Sequence, residues 1–465
     1  MFSKVLKSSL FLVTISLLCS IATAQHSSNT PALQPRNGNF ATNIVISSPV
    51  TAQKDIAPPA NQLFQHPVRY DTAGYDPFAV AVGDFNSDGN ADVVVANQEM
   101  YGAESSVGIL LGNGDGTFQT ATSFDAAGEL AYSVAVADVN GDGHLDVLVA
   151  DGCASGTGTN CSPQGVLAVF LGNGDGTFQP AKTYSTGASD LYHSIIAVAD
   201  LNADHKLDVV VAHGCGGLTC TNGSVSVLLG DGTGGFSTAA SYGSGGNGAS
   251  AVVVADMNGD HKPDLVAVNW CSALCGTSTP IEGSVGVLLG NGNGTFQPAV
   301  AYLSGGNGTR AVSVSDLNRD GKVDVLTASC GPDACAPGFP GGTAGVLLGN
   351  GDGTLQSAMA DNAGNSPDAI AAVDLNGDGK KDLVVGNWGT TDGASNKGSI
   401  TILLGSGDGT FHATKTLLAG GNEVPSIAIA DLNGDGHPDV VTADIAGTFN
   451  YNTNGSVSVF LNNQP

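Results

Sequence analysis

Seven short stretches of the chain place carboxylate and amide oxygens at alternate positions. One of them is Asp138-Val139-Asn140-Gly141-Asp142-Gly143-His144-Leu145-Asp146, which reads D-x-N-x-D-G-x-x-D. All seven copies keep Asp at positions 1, 5 and 9 and Asn at position 3, and they recur every 54 to 62 residues. Oxygen ligands around a sharp turn suit a hard cation that takes six to eight oxygens, and Ca²⁺ is the ion that this chemistry predicts.

We expect up to seven structural Ca²⁺ ions, each held by the side chains of positions 1, 3, 5 and 9 and by the backbone carbonyl of position 7. Loop by loop, the predicted ligands are Asp84, Asn86, Asp88, Asn90, Asp92; Asp138, Asn140, Asp142, His144, Asp146; Asp200, Asn202, Asp204, Lys206, Asp208; Asp256, Asn258, Asp260, Lys262, Asp264; Asp316, Asn318, Asp320, Lys322, Asp324; Asp374, Asn376, Asp378, Lys380, Asp382; Asp431, Asn433, Asp435, His437, Asp439.

Two loops depart from the pattern at position 6, where His205 and His261 replace glycine. Histidine adopts a positive φ less readily than glycine, so we expect these two sites to be weaker. The opening of the motif matches the calcium loop of an EF-hand, but position 12 holds Val95 and Val149 in the first two copies and not Glu. The residues that follow alternate as β-strands, so the loops are predicted to join strands and not helices.

The acidity of the chain is explained largely by these loops. The formal net charge is −27 with 42 Asp plus Glu, and the seven loops account for 21 of those acids. Seven divalent cations would bring the charge to −13, which favours metal ligands over a polyanionic surface. A nucleic-acid partner is not expected, because 15 Lys plus Arg are scattered along the chain and form no phosphate-neutralising patch.

The N-terminal part of the chain is predicted to direct export. Residues 1–24 read as a signal peptide with a short apolar stretch and small residues before the cleavage site, and residues 25–60 read as a flexible linker. Cys19 raises a lipoprotein alternative, which the large Leu18 before it disfavours. No later segment is long and apolar enough to span a bilayer, so a secreted protein is expected, extracellular or at the cell surface, with the periplasm as an alternative.

Residues 61–465 consist of repeats, and each repeat is predicted to hold four short antiparallel strands. In the second copy these are residues 132–138, 146–151, 165–171 and 177–184, with the acidic loop after the first strand and a glycine-rich turn, Gly172–Gly176, after the third. Such units at a period of 54 to 62 residues are typical of a β-propeller. The last unit stops at Leu461-Asn-Asn, and Phe64–Tyr70 resembles the missing fourth strand. We therefore predict that this N-terminal strand completes the last blade.

The units resemble FG-GAP/VCBS repeats, which build the propeller of integrin α subunits and of many secreted bacterial proteins. The resemblance covers residues 61–465 and rests on the seven Asp motifs and on six turns of the Leu-Gly-Asn-Gly-Asp-Gly-Thr-Phe type. It implies an all-β, seven-bladed propeller of four-stranded antiparallel blades, with calcium in the acidic loops. It also implies that ligands meet the opposite face.

Eight cysteines remain after residue 24, in four close pairs: Cys153/Cys161, Cys215/Cys220, Cys271/Cys275 and Cys330/Cys335. Each pair lies in the variable loop after the second strand of its unit. Even, local pairing in an exported chain predicts disulfides that stiffen those loops. A shared zinc site is disfavoured, because the pairs would lie on separate blades with no consistent His partner.

The face that carries these loops is the predicted binding face, for a protein or carbohydrate ligand. Trp270 and Trp388 each follow an Asn at the end of a second strand, and further candidates are Tyr101, Tyr192, His193, His213 and Arg310. An aromatic side chain on a stiff loop suits a sugar ring or a protein hot spot. The alternative is that both Trp side chains pack beneath the loops or against the central channel.

The sequence holds no recognisable catalytic set, since neither G-x-S-x-G nor H-E-x-x-H occurs. We therefore expect a calcium-binding, monomeric, non-catalytic binding or adhesion module. Two alternatives stay open: a polysaccharide lyase or hydrolase with its active site on the top face, and a structural spacer. Clustering of His193, His213 and Arg310 with a carboxylate would favour the enzyme.

Overall fold

The computed structural model describes residues 63–99, 104–154, 165–187, 194–214, 223–272, 282–330, 341–389, 397–445 and 455–464. These residues form 27 β-strands, and no helix occurs among them. The predicted signal peptide and the predicted linker, residues 1–60, lie outside this range. The all-β class is therefore confirmed for the part of the chain that the structure describes.

The strands form six antiparallel sheets. Five sheets have four strands: β2 (Pro77–Gly83), β3 (Asp92–Asn97), β4 (Ser106–Leu110), β5 (Thr122–Asp125); β6 (Gly128–Ala137), β7 (Asp146–Ala154), β8 (Val166–Phe170), β9 (Lys182–Ser185); β10 (Ser194–Ala199), β11 (Asp208–His213), β12 (Ser224–Leu228), β13 (Ala240–Gly243); β21 (Pro367–Val373), β22 (Asp382–Asn387), β23 (Ser399–Gly405), β24 (Phe411–Leu418); and β25 (Glu423–Ala430), β26 (Asp439–Ile445), β27 (Ser456–Phe460), β1 (Val68–Asp71). The sixth has seven strands: β14 (Asn247–Ala255), β15 (Asp264–Cys271), β16 (Glu282–Leu288), β17 (Val300–Ser315), β18 (Asp324–Cys330), β19 (Gly342–Leu347) and β20 (Met359–Gly364).

The prediction of seven separate four-stranded blades is therefore wrong. The protein has five four-stranded blades and one sheet in which the fourth and fifth repeats are joined. β14 and β17 lie three places apart in that sheet and still contact each other, so the seven-stranded sheet is curled.

The joining has a local cause in β17, which runs without a break for 16 residues. Its first part pairs with β16 and its second part pairs with β18. Asn307 belongs to both ladders, because it pairs with Glu282 on one side and with Cys330 on the other. This double pairing makes one continuous strand where the repeat pattern predicts a connection between blades, although Gly305 and Gly308 within it have positive φ.

The first strands of the repeats pack around a common centre. β2 contacts β6 and β25, β10 contacts β6 and β14, and β21 contacts β17 and β25, so these inner strands form a closed ring. At the chain ends, β1 pairs with β27 in the register Val68↔Val459 to Asp71↔Ser456, and Phe64 forms a bridge with Asn462. The predicted pairing of the N-terminal strand with the last repeat is therefore confirmed.

The strands of each repeat lie close to where the sequence predicts them, except for the outer strand, which is shorter than predicted. In the second repeat β9 begins at Lys182, whereas residues 177–184 are predicted as a strand. Phe178 forms only an isolated bridge with Gly172, and Pro180 has no N–H to donate to a ladder. The outer strands are consequently short, and in three of them three of the four residues are exposed.

The core consists mainly of Val, Ala, Leu and Ile from the inner two or three strands of each repeat, nearly all fully buried. Aromatic side chains after the glycine-rich turns pack against the neighbouring repeat, as in the edge-to-face contact of Phe118 with Tyr70 at 5.3 Å between ring centres. The predicted role of these Phe residues in packing between repeats is therefore confirmed at this junction. The acidic loops and the ends of the inner strands are held in place by this packing.

Candidate functional site

The acidic loops are compact turns braced by their own side chains. In the second loop, the N–H groups of Asp142 and Gly143 donate to the two carboxylate oxygens of Asp138 at 3.2 and 2.9 Å. The N–H of Asp142 also donates to the Asn140 side-chain oxygen at 2.9 Å, and the N–H of His144 donates to Asp142 at 2.9 Å. Positions 1, 3 and 5 thus bring their oxygens to one small, largely exposed loop.

The Asp at position 9 has a different role. Its side chain is fully buried in all seven repeats. In the second repeat, Asp146 accepts the N–H of Val139 at 2.9 Å and that of Gly172 at 2.8 Å, one on each oxygen. The same two bonds recur in the other repeats, and in the last one Asn462 takes the place of the glycine. Position 9 therefore fastens the acidic loop to the glycine-rich turn.

Burial raises the pKa of these position-9 carboxyls. The pKa of Asp146 is raised to about 6 by desolvation, which outweighs its two backbone hydrogen bonds, and the charges of Asp138 and Asp142 raise it further. The pKa of Asp382 is raised to about 7 for the same reasons. The carboxylates of one loop are thus close enough to repel one another.

The residue types of the loops fit a calcium ion. Each loop supplies the carboxylates of positions 1 and 5 and an amide oxygen, and in the sixth loop Asp374 Oδ1 is buried with no hydrogen-bond partner among the described residues. A divalent cation bound at positions 1, 3, 5, 7 and 9 would neutralise the repulsion between the carboxylates. Within the described ranges, no group of three or more His, Cys, Asp or Glu side chains is arranged to hold a metal. The 35 ligands remain a prediction.

The two loops with histidine at position 6 keep the backbone shape of the others. His205 and His261 have φ of 66° and 62°, where Gly143 has 90°. Each His Nδ1 lies near the position-1 carboxylate, at 3.8 Å from Asp200 and 3.7 Å from Asp256. The left-handed backbone that glycine tolerates is therefore required at this position.

On the opposite side of the repeats, where inner strands begin and second strands end, the structure brings three predicted residues together. The Arg310 Cζ atom lies 5.1 Å from the centre of the Trp270 ring and 5.8 Å from that of Trp388. Both Trp side chains are partly exposed. Cation–π contacts of this length are favourable, and they hold the guanidinium of one repeat between the second strands of its two neighbours.

Two acids complete this group, which we call the Arg310 cluster: Arg310, Trp270, Trp388, Asp368 and Glu423. Arg310 forms an ion pair with Asp368, whose side chain is 7% exposed. The pKa of Glu423 is raised well above its usual value, first by burial and then by the Asp368 charge, while Arg310 lowers it. Arg310 Nε and Asp368 Oδ2 are buried without a hydrogen-bond partner in the described structure.

The cluster lies at the mouth of a narrow cavity at the centre of the ring. This cavity has a volume of about 60 Å³ and is lined by residues at the start of the inner strands, among them Phe78, Tyr132, Arg310 and Asp368. Trp270 and Trp388 do not line this cavity, and they approach it only through their contacts with Arg310.

The remaining predicted candidates do not join the cluster or cannot be placed. His213 is buried, and its Nε2 shares a hydrogen bond of 2.8 Å with Ser226 in the adjacent strand. Tyr101, Tyr192 and His193 lie outside the described residues. Cys271 and Cys330 are buried at the ends of β15 and β18. Since at least one member of every cysteine pair lies outside the described side chains, the disulfides stay a prediction.

Sequence reasoning did not single out Asp368 and Glu423. Each stands at or next to the first residue of an inner strand, beside Pro367 and Val424, in a stretch that reads as ordinary strand. The sequence does contain one indication of this group. Two neighbouring inner strands each have an acid at or near their first residue, and the inner strand before them carries one Arg. That signal is useful only when the order of the inner strands around the ring is known.

Comparison with known families gives the same repeat. The FG-GAP-like repeat matches residues 84–149, 156–211, 217–267, 274–327 and 389–442, and the FG-GAP repeat matches residues 366–403. Together they cover more than half of the chain. The chain belongs to the FG-GAP repeat family. The resemblance seen in the sequence is thereby confirmed, and an FG-GAP propeller is a fold consistent with a binding or adhesion module.

Among curated proteins, this FG-GAP chain is similar to integrin alpha-V of Gallus gallus, with 31% identity over 146 residues. The match covers 31% of this chain and 14% of the integrin. Among solved structures, BBS1N in complex with ARL6DN has a TM-score of 0.50 at 10% identity, covering 86% of this chain and 96% of that one. The V. cholerae biofilm matrix protein Bap1 has a TM-score of 0.44 at 15% identity, covering 92% of each chain. In the described residues, no helix is long and apolar enough to cross a membrane.

Proposed function

We propose that this FG-GAP protein is a secreted, calcium-stabilised binding module that holds a protein or glycan ligand on the face of the Arg310 cluster. The observation that carries the proposal is the position of Arg310 between Trp270 and Trp388. Two partly exposed indole rings and a guanidinium are the side chains most enriched at binding hot spots. They converge on one face from three different repeats.

The geometry of this group supports ligand binding, because the group is rigid before any ligand arrives. The ion pair with Asp368 and the two ring contacts fix the Arg310 guanidinium, so little side-chain entropy remains to be lost on binding. The exposed parts of the rings offer apolar area next to fixed polar groups. This combination suits a sugar ring or an aromatic or acidic side chain of a protein.

In this proposal calcium would stabilise the fold and would not contact the ligand. The acidic loops lie at the ends of the inner strands, whereas the Arg310 cluster lies at their beginnings. Cations would tighten the loops that connect the two inner strands of each repeat, by neutralising carboxylates that repel one another. The ligand face would then depend on calcium only through the rigidity of the ring.

The proposal is tested with the mature, calcium-loaded protein on a glycan array and in a pull-down from extracellular material. We expect a ligand whose affinity falls at least tenfold in Trp388→Ala and is unchanged in Lys182→Ala, a substitution on an outer strand. Circular dichroism and thermal unfolding show that each variant is folded. Absence of any ligand, or equal binding by the folded Trp388→Ala variant, contradicts the proposal.

A second candidate function is that of a polysaccharide lyase or hydrolase. One observation favours it: Glu423 is a carboxyl with a raised pKa beside a second carboxyl and an arginine, as in sites that use one acid as a proton donor. Incubation with a polysaccharide panel, followed by detection of reducing ends and of unsaturated uronate products, tests it. Activity that Glu423→Gln abolishes would establish this alternative, and a panel without any product removes it.

A further inference from the structure

Adjacent repeats meet through a recurring aromatic contact near the outer strands. An aromatic residue of one outer strand packs edge-to-face on the Phe that follows the glycine-rich turn of the next repeat, with 5.3 to 5.5 Å between ring centres. The pairs are Tyr70–Phe118, Phe124–Phe178, Tyr184–Phe236 and Tyr242–Phe296. In two of them the Tyr hydroxyl also donates to a turn carbonyl, Tyr184 to Gly234 at 3.0 Å and Tyr242 to Gly294 at 3.5 Å.

The junction between the fourth and fifth repeats lacks this contact. The fifth repeat has Leu355 where the earlier turns have Phe. Tyr302 of β17 stands at the place of Tyr184 and Tyr242, yet among the described residues it has no aromatic partner and its hydroxyl has no hydrogen bond. Leucine is smaller than phenylalanine and offers no ring edge, so the half-buried Tyr302 ring packs on the hydrophobic cluster of Leu355 without an edge-to-face partner among the described residues.

A cleft lies next to this junction, and both Tyr302 and Leu355 line it. It has a volume of about 590 Å³, within the range of roughly 300–1,000 Å³ that small-molecule sites occupy. It lies within the curled seven-stranded sheet, and the lining that matters chemically is Tyr302, Leu303, Glu282, Asn307, Thr343 and Gln356. Leu303, the residue that follows Tyr302 in β17, is 54% exposed.

We propose that this cleft is a binding site for a neutral saccharide. The exposed part of the Tyr302 ring supplies an apolar surface for the C–H face of a pyranose. The side chains of Asn307, Gln356 and Thr343 supply amide and hydroxyl groups that both donate and accept hydrogen bonds, as sugar hydroxyls require. A ligand with one apolar face and several hydroxyls around its edge matches this lining.

The charge of the residues that line the cleft indicates which classes of ligand are disfavoured. Glu282 is the one charged side chain that lines the cleft in the described residues, and it is exposed. A carboxylate accepts hydrogen bonds from sugar hydroxyls and repels anions, and the chain carries a net charge of −27. Phosphates, uronates and sulfated sugars are therefore disfavoured. The site is separate from the Arg310 cluster, so it goes beyond the binding face proposed above.

Saturation-transfer NMR and titration calorimetry on the mature, calcium-loaded protein test the site, with cellobiose, lactose, maltose and glucuronate as probes. We expect at least one neutral disaccharide to bind and glucuronate to bind at least tenfold more weakly. Leu355→Phe restores the residue of the other turns and should lower the affinity at least tenfold. Tyr302→Phe should lower it about threefold, and Glu282→Gln should reduce the discrimination against glucuronate at least fivefold.

The matched control is Tyr242→Phe, which removes the same hydroxyl from a junction closed by Phe296 and should leave binding unchanged. If Leu355→Phe does not fold, Gln356→Leu removes an amide from the exposed rim and should lower affinity at least threefold. Absence of binding by all neutral probes overturns the proposal, as does equal affinity in a folded Leu355→Phe variant. Both results are independent of the Trp388→Ala test of the other face.

Discussion

The guanidinium carbon of Arg310 lies 5.1 Å from the centre of the Trp270 ring, although the two residues belong to different repeats. Arg310 lies near the start of an inner strand and Trp270 near the end of a second strand. Because inner strands and second strands are antiparallel, these two ends meet on the same side of the ring. The contact therefore joins neighbouring repeats at the face opposite the acidic loops.

Removal of the Arg310 charge should destabilise the protein. Arg310→Met leaves the carboxylate of Asp368 buried without its cation and removes two cation–π contacts, so we expect a loss of about 3 kcal/mol in the free energy of unfolding. Arg310→Lys should recover only part of this, because an ammonium group cannot stack as a planar guanidinium does. Urea denaturation measures both variants.

The control for this pair is Lys182→Met, which removes a positive charge from an exposed position of an outer strand and should change stability by less than about 0.5 kcal/mol. A loss below about 1 kcal/mol in Arg310→Met would show that the ion pair does not join the repeats.

The two kinds of Asp in an acidic loop should respond differently to calcium. Asp146→Ala leaves the N–H groups of Val139 and Gly172 buried without an acceptor, so it should cost about 3 kcal/mol even in EDTA. Asp142→Ala removes an exposed oxygen, and it should cost about 1.4 kcal/mol only when calcium is present at ten times its Kd. Thermal unfolding in both conditions separates the two effects.

Asp175→Ala, in the neighbouring glycine-rich turn, is the control and should not change the calcium dependence. Equal losses for Asp142→Ala in calcium and in EDTA would argue against a cation in that loop.

Backbone conformation at position 4 of the acidic loops should also affect stability. Ala203 has φ of 60°, whereas Gly259 holds the same position in the next loop with φ of 75°. A Cβ built on Gly259 meets nothing within 4 Å, so substitution there tests the backbone conformation alone. Ala203→Gly should stabilise the protein and Gly259→Ala should destabilise it, each on the order of 1 kcal/mol. Chemical denaturation in calcium measures both, and a change of the same sign in the two variants would contradict the prediction.

His213 should make stability depend on pH. Burial lowers the pKa of His213 to about 4 from 6.5. A histidine that is neutral in the fold contributes its full stability above pH 6.5, and this is lost as the pH falls toward 4, by about 3 kcal/mol in total. His213→Asn introduces asparagine, which two other repeats have at the equivalent position as Asn97 and Asn269. The variant should lose less unfolding free energy than the wild type as the pH falls from 6.5 toward 4. Unfolding free energies of both proteins between pH 4 and 7.5 provide the comparison, and parallel profiles would refute the assignment.

Much of the fold follows from short-range patterns. Alternating apolar residues set the strands, and the D-x-N-x-D-G motif sets the loops, because its side chains hydrogen bond to N–H groups only two to five residues away. The pairing of the N-terminal strand with the last repeat was also predictable, since Phe64 replaces the Phe that the last turn lacks. The Arg310 cluster was predictable only in part, because its acids become neighbours of Arg310 through the order of strands around the ring.

The sequence by itself determined the repeated unit, its acidic loops and its membership of the FG-GAP family, since these depend on residues close together in the chain. The tertiary structure decided how the units are joined. Ser-Gly-Gly-Asn-Gly occurs at 244–248 and again at 304–308, and Gly245 and Gly305 share a φ of 85°. In the first copy, residues 244–246 separate β13 from β14, whereas the second copy lies entirely inside β17, because Asn307 pairs with Glu282 and Cys330 at the same time. The two identical pentapeptides therefore differ in secondary structure, because the continuity of a strand depends on ladder partners that lie more than twenty residues away.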